Sequence, residues 1–237
     1  MGGMTSVGGL PAYRAVPEGD GSWPGMVLVH EGLGLDGVMC RAAERVAAMG
    51  YVVVAPDLFS RGRRTACLVR TFRDLRRGSG QAFDDIEATR AALLADPSCS
   101  GAVGVIGFCL GGGFALVLAG RPGWGASVVN YGALPEDPSA LDGACPVVAS
   151  YGGRDRYLSG AADRLTAALR ERGVPHDVRE YPDAGHSFLN DEDNIPWYAA
   201  PVSRLLMHAG PEPASAEDAW GRIEVFLEEH LPRPPRP

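Results

Sequence analysis

The stretch Gly107-Phe108-Cys109-Leu110-Gly111-Gly112-Gly113 constrains this chain more than any other. It follows the apolar run Ala102-Val103-Gly104-Val105-Ile106 and opens the apolar segment Phe114-Ala115-Leu116-Val117-Leu118-Ala119. That order reads as strand, sharp turn and helix, with a cysteine at the apex. A nucleophile elbow has this form: the reactive side chain stands on a strained strand-to-helix turn above a mostly parallel sheet. Gly107 and Gly111, two residues to either side of the apex, leave room for the backbone to fold back on itself. Cys109 stands where such turns more often carry serine, so the candidate nucleophile is a thiol. The pattern alone is equally that of a buried cysteine in a glycine-rich strand–helix junction, and the rest of the chain decides between the two.

Around the elbow the chain alternates strand-like and helix-like segments. Met26-Val27-Leu28-Val29-His30 and Tyr51-Val52-Val53-Val54-Ala55 have the continuous hydrophobicity of strands buried on both faces. Further strands are expected at 127–131, 146–151 and 176–181, with an edge strand at 12–16. Helical periodicity falls between them. One helix starts at an Asp36 cap and turns Val38, Ala42, Val46 and Met49 to one side; others are expected over about 81–95, after the elbow, and over about 160–172. A last helix, with Ser215 as its cap, carries Trp220, Ile223, Phe226, Leu227 and Leu231 inward. Residues 1–10 read as a disordered N-terminus, 56–80 as a polar, arginine-rich surface segment, and 232–237 as a Pro-rich tail. The alternation implies one α/β domain over residues 11–231, its mostly parallel sheet covered by helices on both faces.

Composition removes several function classes. The net charge of −7 argues against nucleic-acid binding. All 22 basic residues are arginine, which excludes a Schiff-base lysine and a P-loop lysine. The five cysteines (40, 67, 99, 109 and 145) show neither paired nor zinc-ligand spacing, so no disulfide framework, metal or cofactor is implied. The chain has no signal-peptide pattern at its start, and no apolar run reaches the roughly 18 residues of a membrane span. A cytoplasmic protein without membrane association is the expectation, its oligomeric state open.

In an open parallel sheet, reactive groups belong on loops at the carboxyl ends of strands. Three such loops carry candidates: Cys109 in the elbow, Asp155 in Gly152-Gly153-Arg154-Asp155, and His186 in Ala184-Gly185-His186-Ser187-Phe188. The order nucleophile, acid, histidine is that of the α/β-hydrolase fold. His186 would take the thiol proton and later return one to the leaving group, while Asp155 would orient the imidazole. Asp183 is a rival acid, although three residues before His186 it suits a local turn better. The developing oxyanion needs backbone donors; Leu110, at the start of the elbow helix, and Gly32, in the glycine-rich loop after the first long strand, are the candidates.

Together, His30-Glu31, Ala55-Pro56-Asp57-Leu58-Phe59, Cys109 in Gly-Phe-Cys-Leu-Gly-Gly, Gly153-Arg154-Asp155 and Gly185-His186-Ser187-Phe188 resemble the dienelactone hydrolase family, in that order, over about residues 11–231. The resemblance implies a cysteine hydrolase with Cys109, Asp155 and His186 as triad. It also gives a role to Glu31, otherwise only a loop carboxylate: it would hold the thiol neutral at rest and help activate it when substrate binds. Two departures stand out. Family members acting on dienelactone have an arginine shortly after the histidine to bind the substrate carboxylate, whereas here Asp191-Glu192-Asp193 follows, an acidic run expected to repel one. The stretch 194–214, with Trp197, Tyr198, Leu205, Leu206 and Met207, is longer than usual and reads as a lid or pocket wall. The expected function is hydrolysis of small esters or lactones through an acyl-cysteine. A broader carboxylesterase or thioesterase is the enzymatic alternative, and a non-catalytic binding protein on the same fold is the alternative of another class.

Overall fold

A computed structural model describes residues 2–197 and 199–232. Its eight strands form one sheet in the order β1-β2-β4-β3-β5-β6-β7-β8. These are β1 (Gly2–Val7), β2 (Leu10–Ala15), β3 (Trp23–Val29), β4 (Val52–Pro56), β5 (Cys99–Phe108), β6 (Ser127–Asn130), β7 (Val147–Gly152) and β8 (His176–Tyr181). From β4 to β8 every neighbouring pair is parallel; β1 pairs antiparallel with β2, and β2 antiparallel with β4. The apolar runs are strands because only a sheet covered on both faces buries consecutive side chains: Met26, Val27, Leu28 and Val29 are all fully buried.

The helices are α1 (Gly37–Ala48), α2 (Arg64–Arg77), α3 (Gln81–Ala95), α4 (Leu110–Ala119), α5 (Ala161–Glu171), α6 (Ala200–Met207) and α7 (Pro213–His230). α1 and α7 lie side by side, joined by Arg45, whose guanidinium reaches Glu217 at 2.7 Å and lies 5.0 Å over the Trp220 ring. α3 and α4 meet through Phe83 and Phe114, ring centroids 4.7 Å apart. As expected, Asp36 caps α1, its carboxylate accepting from the Met39 amide at 3.1 Å. The last helix differs: Glu212, not Ser215, is its cap, accepting from the Ala214 and Ser215 amides with Pro213 in the first turn.

Two further expectations are corrected. Residues 2–7 are not disordered but form the edge strand β1, which moves β2 one place inward. The Gly8-Gly9 pair, with φ of 57° and 81°, makes the tight turn that closes this hairpin. Its small side chains contribute little; the backbone ladder holds it. The segment 56–80 contains a helix, α2, whose inward residues are Cys67, Thr71 and Asp74. The helical spacing is present, but two of the three inward side chains are polar. Asp74 is buried because it accepts from the Ala82 amide at the start of α3. Tyr198 and the tail from 233 onward lie outside the described residues.

α4 is the centre of the molecule, with every residue buried. Its glycines are unfavourable for a helix, each costing about 1 kcal/mol relative to alanine, and they are there for packing. A Cβ on Gly111 would lie 2.0 Å from the Val29 carbonyl oxygen, and one on Gly107 2.0 Å from the Gly111 carbonyl oxygen. Both neighbours are backbone and cannot step aside. Gly111→Ala is therefore expected to destabilise the fold by about 3 kcal/mol or more. Gly221→Ala, in α7 with no atom within 4 Å of its Cβ, should stabilise by up to about 1 kcal/mol. Urea unfolding of both variants checks this; similar midpoints for the two would refute the packing account.

Candidate active site

The elbow brings its apex residue into view of three loops. Cys109 joins β5 to α4 with φ 54° and ψ −113°, a left-handed conformation that strains a residue with a side chain. Its amide donates to the Asn130 carbonyl at the end of β6, and its sulfur stays partly accessible. The other four cysteines are also free thiols, but burial pushes the Cys40 thiol up in pKa and the Cys145 thiol up to about 12.

Asp155 follows β7, is buried, and heads a single 3-10 turn, Arg156–Leu158, by accepting from the Tyr157 amide at 3.0 Å. Its other oxygen accepts from His186 Nδ1 at 2.6 Å. Asp183 is exposed, so the structure pairs the histidine with the first acid and not its rival. That bond places a proton on Nδ1 and leaves Nε2 for the thiol. Nε2 is buried without a well-aligned hydrogen bond, but it lies close enough to Cys109 to feel its charge. Burial opposes a charged ring; the nearby Cys109 and the Asp155 bond outweigh it and raise the His186 pKa to about 10. Asp155, His186 and Cys109, the three residues singled out in the sequence, are thus brought together.

The histidine loop is fixed from outside. The His186 amide donates to Met207 O at 2.9 Å, and the Gly210 amide donates to His186 O at 3.0 Å. The 194–214 stretch therefore runs directly over the loop and carries α6. Trp197, Val202, Leu205 and Leu206 are exposed on it.

Glu31, expected beside the thiol, is buried just past β3. Gly111 of the elbow helix packs against the backbone of Val29 and His30, which brings this carboxylate up to the elbow. Among the described residues no arginine hydrogen-bonds to it. Its partners are two carboxamides, Asn194 Nδ2 at 2.7 Å and Asn190 Nδ2 at 3.4 Å, and the Ser187 hydroxyl at 3.5 Å. Burial raises the Glu31 pKa and the two carboxamide bonds oppose the rise. His30 holds the loop in place: its Nδ1 donates to Glu31 O at 2.8 Å and its Nε2 accepts from the Leu58 amide at 3.1 Å. Both contacts suit a neutral ring, and burial lowers the His30 pKa accordingly.

Among the described residues, the amides of Gly32 and Leu110 donate to no protein acceptor, as two candidate oxyanion donors must. Tyr131, Asn190 and Asn194 are site residues that sequence reasoning missed. The Tyr131 hydroxyl donates to Asn190 Oδ1 at 3.2 Å, and its ring lies 4.9 Å from that of His186. Their one visible signal was position, at a strand end and shortly after the histidine. The acidic run also differs from expectation. Arg41 pairs with Asp191 and Glu192, and Arg204 pairs with Asp193, so most of its charge is compensated where it stands. Among the described residues, no group of three or more His, Cys, Asp or Glu is arranged to hold a metal ion, and no helix is long and apolar enough to cross a membrane.

The profile of the dienelactone hydrolase family matches residues 10–231 of this chain. The carboxymethylenebutenolidase of Rhodococcus opacus is 32% identical over 241 residues, covering 92% of this chain and 86% of that protein. A solved dienelactone hydrolase from Anabaena variabilis aligns with a TM-score of 0.70 at 20% identity, over 97% of both chains. A dienelactone hydrolase-like promiscuous phosphotriesterase from metagenomic libraries aligns at 0.74 and 21% identity, over 97% of this chain and 98% of that one. These structures share the α/β-hydrolase fold with this chain.

The coupling between sulfur and imidazole is measurable. In Cys109→Ala the His186 ring should titrate well below its pKa of about 10 in the parent, because burial then faces only the Asp155 bond. NMR titration of the ring tests this, and an unchanged midpoint would show that the two groups are not coupled.

Proposed function

This chain belongs to the dienelactone hydrolase family, and we propose that it hydrolyses small esters or lactones through an acyl-cysteine on Cys109. The observation that carries the reading is the bond from His186 Nδ1 to Asp155, which leaves Nε2 turned to a sulfur on a strained, partly accessible turn. His186 accepts the thiol proton as sulfur attacks the carbonyl carbon. The carbonyl oxygen gains negative charge and is met by the amides of Gly32 and Leu110, which have no competing partner among the described residues. Collapse of the tetrahedral species breaks the ester C–O bond, and the imidazolium gives its proton to the departing oxygen. A water then donates its proton to His186 as its oxygen attacks the acyl carbon, and the thiol is restored as the carboxylic acid leaves. Asp155 keeps the ring oriented throughout.

Glu31 has a second part in this reading. A buried carboxylate beside the sulfur disfavours a thiolate while it is itself ionised, since two like charges in a poorly solvated site repel. It accepts a proton readily because burial has already raised its pKa. A substrate that displaces it from the sulfur would lift that repulsion and let His186 take the thiol proton more readily.

The broader esterase or thioesterase reading is favoured by one observation: where an arginine would greet a substrate carboxylate, the loop after His186 offers Ser187, Asn190 and Asn194. The 194–214 stretch, laid over the acid and histidine loops, serves as a pocket wall in either case.

Cys109→Ala should abolish hydrolysis of an activated aryl ester, while Cys40→Ala keeps it, and acid-quenched parent enzyme should carry one acyl group on the Cys109 peptide by mass spectrometry. Equal activity in both variants would reject the mechanism. Paired esters with and without a carboxylate on the acyl side should show the uncharged member preferred in kcat/KM by about tenfold or more, the scale of one missing charge partner.

A further inference from the structure

Asn194 stands eight residues beyond His186, outside the triad, yet its carboxamide is committed at both ends. Nδ2 donates to Glu31 Oε1 at 2.7 Å and to Asp36 Oδ2 at 2.8 Å. A carboxamide nitrogen carries two protons, one for each carboxylate. The amide cannot turn over without loss, because its Oδ1 accepts from Asn190 Nδ2 at 3.3 Å. Asn190 is itself oriented by the Tyr131 hydroxyl. Asp36 is the fixed end of the bridge, since its other oxygen caps α1 through the Met39 amide.

We propose that Asn194 is a positioning residue: its carboxamide moors Glu31 to the capped Asp36 and so sets where the Glu31 carboxylate lies relative to Cys109. The proposal rests on Cys109 as nucleophile with Glu31 as its neighbour, and adds the device that places Glu31. Two carboxylates brought this close repel, and the bridging N–H groups between them offset that repulsion. The other charged or titratable groups facing Glu31 are His186 from the loop after β8 and Tyr131 at the end of β6, which interacts with both Glu31 and Cys109. Arg64 of α2 acts on the neighbouring His30. Among the described residues only the carboxamides and Ser187 hydrogen-bond to Glu31 through its side chain, so removing Asn194 leaves the carboxylate without its shortest contact.

The test uses the full chain and two readouts, the pH profile of Cys109 alkylation by iodoacetamide and kcat against KM for an uncharged activated ester. Asn194→Ala should lower kcat by about tenfold or more, as for loss of a hydrogen bond to a charged group, with KM little changed. It should also move the Glu31-dependent limb of the alkylation profile to higher pH, because burial and Asp36 are then less opposed. Asn194→Gln, which keeps the carboxamide, should recover part of both. In a Glu31→Gln background Asn194→Ala should add little, since the group it positions is gone. Asp36→Asn keeps the helix cap while removing the repelling charge; it should move the limb the opposite way, and it tests the bridge even where Asn194→Ala does not fold. An alkylation profile unchanged in both Asn194→Ala and Asp36→Asn, or losses that simply add in the double variant, would overturn the proposal. Those results leave the thiol mechanism standing; loss of that mechanism is read separately, from activity retained in Cys109→Ala.

Discussion

The contact on which this molecule depends is one that leaves no room for a methyl group. The elbow helix α4 approaches β3 so closely that a Cβ on Gly111 would lie 2.0 Å from Val29 O, and β5 folds back so tightly that one on Gly107 would meet Gly111 O at the same distance. Close approach does three things at once. It lets the fully buried α4 pack at the middle of the sheet. It forces Cys109 into a left-handed turn that lifts the sulfur clear of the backbone. It also sets the end of β3, and with it the start of the loop that carries Glu31 and Gly32, against the elbow helix. Fold and site are therefore joined at one constraint, and helix propensity gives way to it.

The residues facing the sulfur are held by a second constraint, backbone strain supported from behind. Four described residues other than glycine have positive φ, and three of them, Cys109, Tyr131 and Ser187, are at the site. Each such conformation costs on the order of 1–3 kcal/mol and persists only where its surroundings over-determine it. The support is visible at each. Cys109 N donates to Asn130 O, Tyr131 N donates to Ser150 O, and the loop around Ser187 is pinned through His186 to Met207 and Gly210. The fourth, His208, ends α6 and presses its carbonyl against Gly185, so it braces the histidine loop from the far side. This makes the end of α6 part of the scaffold that holds the histidine loop.

What could be read from the residues follows from how each contact is encoded. Continuous apolar runs and glycine spacing are one-dimensional signals, and they placed β3 to β8, the elbow and the order of Cys109, Asp155 and His186. α2 escaped because its inward face is Cys67, Thr71 and Asp74, and the buried carboxylate serves the start of the next helix rather than a hydrophobic core. β1 escaped because a ladder of backbone hydrogen bonds needs no particular side chains. The Glu31 partners were hidden for a different reason. Asn190 and Asn194 lie far from Glu31 in sequence, and an asparagine in a loop reads as turn chemistry until a carboxylate is found against it.

The nature of those partners bears on how Glu31 can work. A buried carboxylate paired with arginine is held ionised by a full opposite charge, and removing its proton-free state means breaking a charge pair in a poorly solvated place. Here the hydrogen-bonding partners are neutral donors, so burial remains the largest influence and leaves the pKa raised. Ionised and protonated forms of Glu31 then differ less in free energy, and the group can exchange a proton with its surroundings at smaller cost. A carboxylate moored by carboxamides is less a fixed counter-charge than a proton-accepting group kept at a set position.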